Sequence, residues 1–119
     1  MTERVSIALP FPTSANRMYR AVAGRSILST EYRRWKQQAG WALQAQRPAK
    51  IAGPVGISVD LRAPDKRKRD CDNSLKPILD LLKTHQVIED DNNRIVRSLY
   101  ARWVEDGEPC VVTVEAIDG

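Results

Sequence analysis

The chain has 119 residues, 42% of them hydrophobic and 29% charged, with a formal net charge of +4. That length suits one domain over residues 1–119 with a modest core, and the composition argues against disorder. No stretch approaches the roughly 18 apolar residues of a membrane span. The charge is unevenly divided. Residues 1–69 carry 14 Lys and Arg against 4 Asp and Glu, whereas residues 70–119 carry 5 against 11. A basic half followed by an acidic half points to a polyanionic partner plus a cation held by the acids.

Val5, Ile7 and Leu9 alternate and predict a first strand, which Pro10 and Pro12 end. Thr13 to Leu28 has little periodicity and reads as a long basic loop with room for a short hairpin. Ser29 or Thr30 caps a helix, with Glu31 favourable in its first turn. Tyr32, Trp35, Ala39, Ala42 and Leu43 follow helical spacing up to Pro48. Val55, Ile57, Val59 and Leu61 predict a strand with one buried face, stopped by Pro64. A basic run, Lys66 to Arg69, leads into Asp70-Cys71-Asp72-Asn73. Leu75, Ile78, Leu79 and Leu82 predict a helix from about Asp72 to His85, with Pro77 tolerable near its start. Glu89 to Asn93 is a polar turn. Arg94 to Val104 reads as a strand joined by a hairpin loop, Glu105 to Glu108, to a partner strand over Cys110 to Ile117. The predicted order is β-α-β-α-β-β.

Met1 to Pro12 shows no basic segment followed by a long apolar run, so no secretory signal is expected and reduced thiols are expected at Cys71 and Cys110. One bridge between them stays open. The single histidine, His85, leaves no residues for a Ser-His-Asp triad or a multi-histidine zinc site. Chemistry must therefore run on carboxylates and lysine.

The candidate constellation is Asp70-x-Asp72-Asn73-x-x-Lys76, with Asp80 and then Asp90-Asp91. At about 100° per helical residue, Lys76 and Asp80 lie about 40° and 80° round from Asp72, on an arc separate from the leucine stripe. Carboxylates gathered at one point repel unless a cation sits between them, and oxygen ligands favour Mg²⁺ or Mn²⁺. Such an ion can orient water at a phosphate, and a lysine one turn away can meet the charge that develops. Lys66, Arg67, Lys68 and Arg69 can bind flanking phosphates. The same residues have plainer uses: Asp-x-Asp caps a helix, a basic run is a solvated face or a localisation signal, and Lys76 is an i,i+4 partner of Asp72 or Asp80.

Two blocks of residues then resemble the RusA-type crossover-junction endodeoxyribonucleases, the Holliday-junction resolvases of bacteria and their prophages. One is Pro64-Asp65, the basic run, Asp70-x-Asp72-Asn73-x-x-Lys76-x-x-x-Asp80 and Asp90-Asp91. The other is Leu9-Pro10-x-Pro12-x-Ser14-x-Asn16-Arg17-x-Tyr19-Arg20, then Gly24-Arg25 and Ser29-x-Glu31. The resemblance covers nearly the whole chain. It implies a small α/β (α+β) domain with a mixed sheet and two helices, in an intertwined homodimer. It implies that Asp70, Asp72 and Asp91 bind a divalent metal and that Lys76 is needed for catalysis, while the roles of Asn73, Asp80 and Asp90 stay open and Asp90 can exchange with Asp91. It also implies paired nicks with 5′-phosphate and 3′-hydroxyl ends in four-way DNA junctions, in a bacterial or phage-encoded, cytoplasmic, nucleoid-associated protein. Cys71 and Met18 depart from the family's usual aliphatic and aromatic residues.

Asn16, Arg17, Tyr19, Arg20 and Arg25 are then expected to contact DNA, with Asn73 and the basic run, and Tyr19 can stack on an exposed base. Arg33, Arg34 and Lys36 read as solvated surface, with Arg33 and Lys36 able to extend the patch. Trp35, Trp41 and Trp103 read as core or dimer interface. Glu105, Asp106, Glu108 and Asp118 read as surface. Two other functions stay open: a junction-binding protein without catalysis, and a nuclease for flaps or forks.

Overall fold

A computed structural model describes residues 3–117; Asp118 lies outside them. Eight elements carry the fold: β1 (Arg4–Leu9), β2 (Tyr19–Val22), β3 (Arg25–Leu28), α1 (Thr30–Gln46), β4 (Val55–Arg62), α2 (Leu75–Thr84), β5 (Val96–Val104) and β6 (Cys110–Ala116). Short 3₁₀ turns over Ala15–Arg17 and Cys71–Ser74 precede β2 and α2.

The main sheet runs β1-β6-β4-β5. It is mixed: β6 is antiparallel to β1 and β4, and β5 is parallel to β4. The parallel pair follows from the α2 crossover between β4 and β5, because a parallel partner needs a long connection. One sheet face is apolar throughout. Ile7 and Leu9, Val112 and Val114, and Ile57, Val59 and Leu61 are all buried there. Tyr32, Trp35, Ala39 and Leu43 of α1 and Ile78, Leu81 and Leu82 of α2 close over them. Each such aliphatic side chain contributes about 1.5–3 kcal/mol on burial. The other face is polar, with Ser6 and Thr113 hydrogen-bonded at 3.1 Å and Asp60 paired to Arg102.

The α+β class, the mixed sheet and the two helices agree with expectation, and Ser29 caps α1 by accepting from the Tyr32 N–H at 3.0 Å. Five details are sharpened or differ. The basic loop does contain a hairpin, β2–β3, whose turn residues Ala23 and Gly24 both have positive φ, as a two-residue turn with matching twist requires. The second helix starts at Leu75, because Asp70 to Ser74 form the tighter 3₁₀ turn first; Pro77 then falls in the first turn of α2, where no intrahelical N–H is lost. The strand expected from Arg94 begins at Val96, because the Ile95 and Val96 N–H groups close a turn on Asn92.

The fourth difference is topological. β5 and β6 are not hairpin partners, because β4 lies between them. β6 is buried at Cys110, Val112 and Val114 and fits the interior of the sheet, whereas β5 is mostly exposed and fits an edge. The Glu105–Pro109 loop crosses the end of β4, where the Arg62 N–H donates to the Pro109 carbonyl at 3.0 Å. Fifth, of the three tryptophans read as core or dimer interface, only Trp35 lies in the core. Trp41 and Trp103 are exposed, Trp41 on the outer side of α1 and Trp103 on the edge strand. Cys71 and Cys110 are both free thiols, and burial pushes the Cys110 thiol up to about 12. Gly40 is where α1 meets the end of α2: a Cβ there would stand 3.1 Å from His85 Nε2.

Candidate active site

The N-terminal segment is fixed at its ends. Ser14 caps the Ala15–Arg17 turn by accepting from the Asn16 N–H at 3.3 Å. Met18 is buried, and its carbonyl accepts from the Ser29 N–H at 2.9 Å. The Ser29 hydroxyl donates to the Arg17 carbonyl at 2.6 Å. Asn16 and Arg17 are thereby held against the start of α1 with their side chains exposed. Between these anchors β2 and β3 project as a separate ribbon, with Tyr19, Arg20 and Arg25 exposed along it. Tyr19 is packed on one side only, its ring centre 6.4 Å from that of Tyr32.

The basic run is organised by one carboxylate. Asp65 accepts from the Arg67 backbone N–H and both ends of its guanidinium at 3.0–3.1 Å, and from Arg69 Nη2 at 2.9 Å. The Arg69 and Arg67 hydrogen bonds hold the Asp65 carboxyl well below the usual carboxylate range. The Arg69 guanidinium lies over the Phe11 ring at 5.5 Å, and its buried Nε has no hydrogen-bond partner. Phe11 in turn stacks on Trp103, with centroids 6.2 Å apart.

These two segments face each other across a cleft of about 610 Å³. Asn16 and Arg17 line one side, and Arg67, Lys68, Arg69, Asp70, Asn73 and Ser74 the other. Glu31, Arg34, Trp35 and Gln38 of α1 line it as well. The two blocks that lie about fifty residues apart in sequence are thus one site in space. Arg34, which reads in the sequence as solvated surface, is exposed and also lines this cleft. Its signal was the i, i+3, i+7 stripe Glu31, Arg34 and Gln38, a polar row beside buried Trp35. Arg33 and Lys36 instead line a shallow pocket with Leu28, which shares Arg34 with this cleft.

The acidic residues are placed less compactly. Asp70 stands at the start of the 3₁₀ turn and makes no capping hydrogen bond, so capping does not consume its carboxylate. Asp72 is exposed in the first turn. On α2, Lys76 pairs with Asp80 at 3.2 Å, as the helical spacing predicts. Asp80 also faces α1, where it and burial raise Tyr32 to about 12, burial contributing most. Lys83 bridges the acidic turn, 3.1 Å from Asp90 Oδ1 and 3.8 Å from Asp91 Oδ1. The Asp91 N–H and Lys83 lower the Asp90 carboxyl, and the Asp90 bond raises Lys83. Asp72, Lys76 and Asp91 do not line the cleft, nor do Lys66, Tyr19, Arg20 or Arg25. Among the described residues no three His, Cys, Asp or Glu side chains are grouped closely enough to hold a metal ion. The donor chemistry nonetheless suits a hard cation: Asp70, Asp72 and Asp91 offer only oxygen, and the acidic turn already holds a positive nitrogen. No helix among the described residues is long and apolar enough to cross a membrane.

Residues 10–115 match the family described as Endodeoxyribonuclease RusA. Three relatives carry the name crossover junction endodeoxyribonuclease RusA. That of Escherichia coli K12 is 37% identical over 78 residues, 65% of each chain. That of Aquifex aeolicus is 34% identical over 85 residues, 71% of this chain and 67% of the relative. That of Enterobacteria phage 82 is 35% identical over 77 residues, 64% of each. The matched part thus spans just under two thirds of the Escherichia coli relative.

Proposed function

The chain belongs to the endodeoxyribonuclease RusA family, and from that membership we propose that it is a Holliday-junction resolvase, a metal-dependent endodeoxyribonuclease that nicks four-way DNA junctions in recombination and repair. The observation that carries this reading is the cleft itself. It brings Arg17, Arg34, Arg67, Lys68 and Arg69 to one concave surface together with Asp70 and Asn73. Guanidinium groups on a preset frame take phosphate oxygens in pairs, and Arg67 and Arg69 are preset by Asp65. Asn16 lines the cleft with them, and Tyr19, Arg20, Arg25 and Lys66 extend the DNA surface beyond it.

Asp70, Asp72 and Asp91, with Asp90 as an alternative, would hold Mg²⁺ or Mn²⁺, which would draw these carboxylates together from their present arrangement. Bound there, the ion supplies Lewis-acid charge and an activated water for phosphodiester hydrolysis. Lys76 sets an ammonium toward the phosphate and stabilises charge as it develops. Asp80 positions that ammonium through its 3.2 Å ion pair. Two copies related by a two-fold axis would present two equivalent sites to a four-way junction, which suits paired nicks. The expected setting is the bacterial cytoplasm, on chromosomal or phage DNA.

The ungathered carboxylates favour one second reading, a junction-binding protein without catalysis. Labelled junction, flap and linear duplex, each incubated with Mg²⁺, separate the possibilities. Preferred cleavage of the junction is expected. Equal cleavage of flaps overturns the junction assignment, and salt-sensitive, metal-indifferent binding without cleavage supports the second reading.

A further inference from the structure

We propose that Trp41, on the outer face of α1, is a DNA-stacking residue: its indole takes an unstacked base of the strand that leaves the basic cleft. This rests on the resolvase reading above and adds an aromatic contact to its phosphate-holding surface.

The core has no use for this side chain. Tyr32, Trp35, Ala39 and Leu43 bury the inner face of α1, whereas Trp41 is 62% exposed on the opposite face. At about 100° per residue Trp41 falls within about 20° of Arg34, about 10 Å further along the helix axis. Gln38, which lines the cleft with Arg34, lies between them on the same side of the helix. Trp41 thus continues the row by which α1 borders the cleft, just outside it. The distance from Arg34 to Trp41 is about three nucleotides of one DNA strand, at about 3.4 Å each.

The surroundings of the indole decide its partner. Its neighbours on the helix surface, three and four residues away, are Gln37, Gln38, Gln44 and Ala45. None is a large apolar side chain, so Trp41 is not the tip of a hydrophobic patch of the kind on which protein interfaces centre. Glu31 is the sole acid of α1 and stands at its start, against Arg33, Arg34 and Lys36. That balance attracts a phosphate strand. The glutamine amides beside the ring donate and accept hydrogen bonds, as base edges require. An indole at the side of such a path stacks on the base that reaches it, because every base offers a π face. A four-way junction supplies that base where its arms exchange strands and stacking is interrupted.

Trp41→Ala is the direct test. The site is exposed and alanine is the best helix former, so the fold is expected to persist, as circular dichroism would check. Binding to a labelled four-way junction is measured without divalent ions and over a range of salt. Trp41→Ala is expected to bind about tenfold more weakly. The slope of log affinity against log salt is expected to stay unchanged, because no phosphate contact is lost. Trp41→Phe, which keeps a ring, is expected to recover most of the affinity. Arg34→Ala is expected to lower the slope by about one. Wild-type binding that Trp41→Ala leaves unchanged, or a loss that Trp41→Phe shares in full, overturns the stacking contact while the resolvase reading stands. A loss accompanied by slower sedimentation of the DNA-free variant assigns Trp41 to a protein contact and overturns it too. A wild type that does not bind the junction overturns both.

Discussion

Two regions of the molecule meet opposite charge problems in the same way and with different remainders. In the basic loop one carboxylate, Asp65, holds two guanidinium groups, those of Arg67 and Arg69. At the acidic turn one ammonium, Lys83, bridges two carboxylates, Asp90 and Asp91. Asp65 is a single anion beside the four cations from Lys66 to Arg69, so the loop keeps excess positive charge toward the cleft. Lys83 is monovalent between two acids, so the turn keeps excess negative charge. The first remainder suits a phosphate backbone and the second a divalent cation. Each region is held in shape by one residue of the opposite sign, before any ligand arrives.

That contrast can be broken by substitution. The largest effect is expected from Lys76→Ala, which removes the ammonium assigned to the reacting phosphate. Junction cleavage should slow by about 10²–10³ while junction binding in a gel-shift assay persists; parallel loss of binding would move Lys76 to the DNA-holding set. Arg69→Ala comes next. It should weaken junction binding about tenfold and reduce the salt slope by about one phosphate's worth, and an unchanged slope would show that Arg69 only packs on Phe11.

Lys83→Met sharpens the acidic half of the contrast. Without divalent ions its melting temperature should fall by no more than about 4 °C, because exposed ion pairs contribute little. Added Mg²⁺ should then raise the melting temperature more than it does in the wild type, since Asp90 and Asp91 lack their bridging cation. An equal rise in both proteins would separate the acidic turn from metal binding.

The smallest effect lies away from both regions, at Asp60. Its carboxyl is lowered chiefly by the Arg102 hydrogen bond. A lowered folded-state value means the stabilisation is present above the ordinary carboxylate range, about pH 4, and is lost as pH falls through the folded value. Melting curves of Asp60→Asn and wild type should therefore differ at neutral pH and converge in acid. Convergence in alkali instead would contradict the pairing.

Much of this was legible in sequence because it is local. The alternation in Val55, Ile57, Val59 and Leu61, the Ser29 cap and the stripe from Leu75 to Leu82 each depend on near neighbours. The Asp65-to-Arg69 loop and the Asn16–Arg17 block were also visible as motifs. That they face each other across one cleft was not visible, because it depends on how α1 and the loop pack. The β5–β6 connection misled for a related reason. A short polar loop between two strands reads as a hairpin, and only the competition for the interior of the sheet sends β6 to the far side of β4. Lys83 escaped notice because its partners, Asp90 and Asp91, lie beyond the end of its helix. The place of Arg34 in the cleft escaped because a charged residue on an amphipathic helix usually serves only as solvated surface.

Junction cleavage is assigned to an ion held by the carboxylates after the basic loop. The most direct test compares wild type with Asp72→Asn on a labelled four-way junction with Mg²⁺. The wild type is expected to release paired nicked duplexes and Asp72→Asn to bind the junction without cutting it. If the two proteins behave alike, whether both cut or neither does, the catalytic assignment fails.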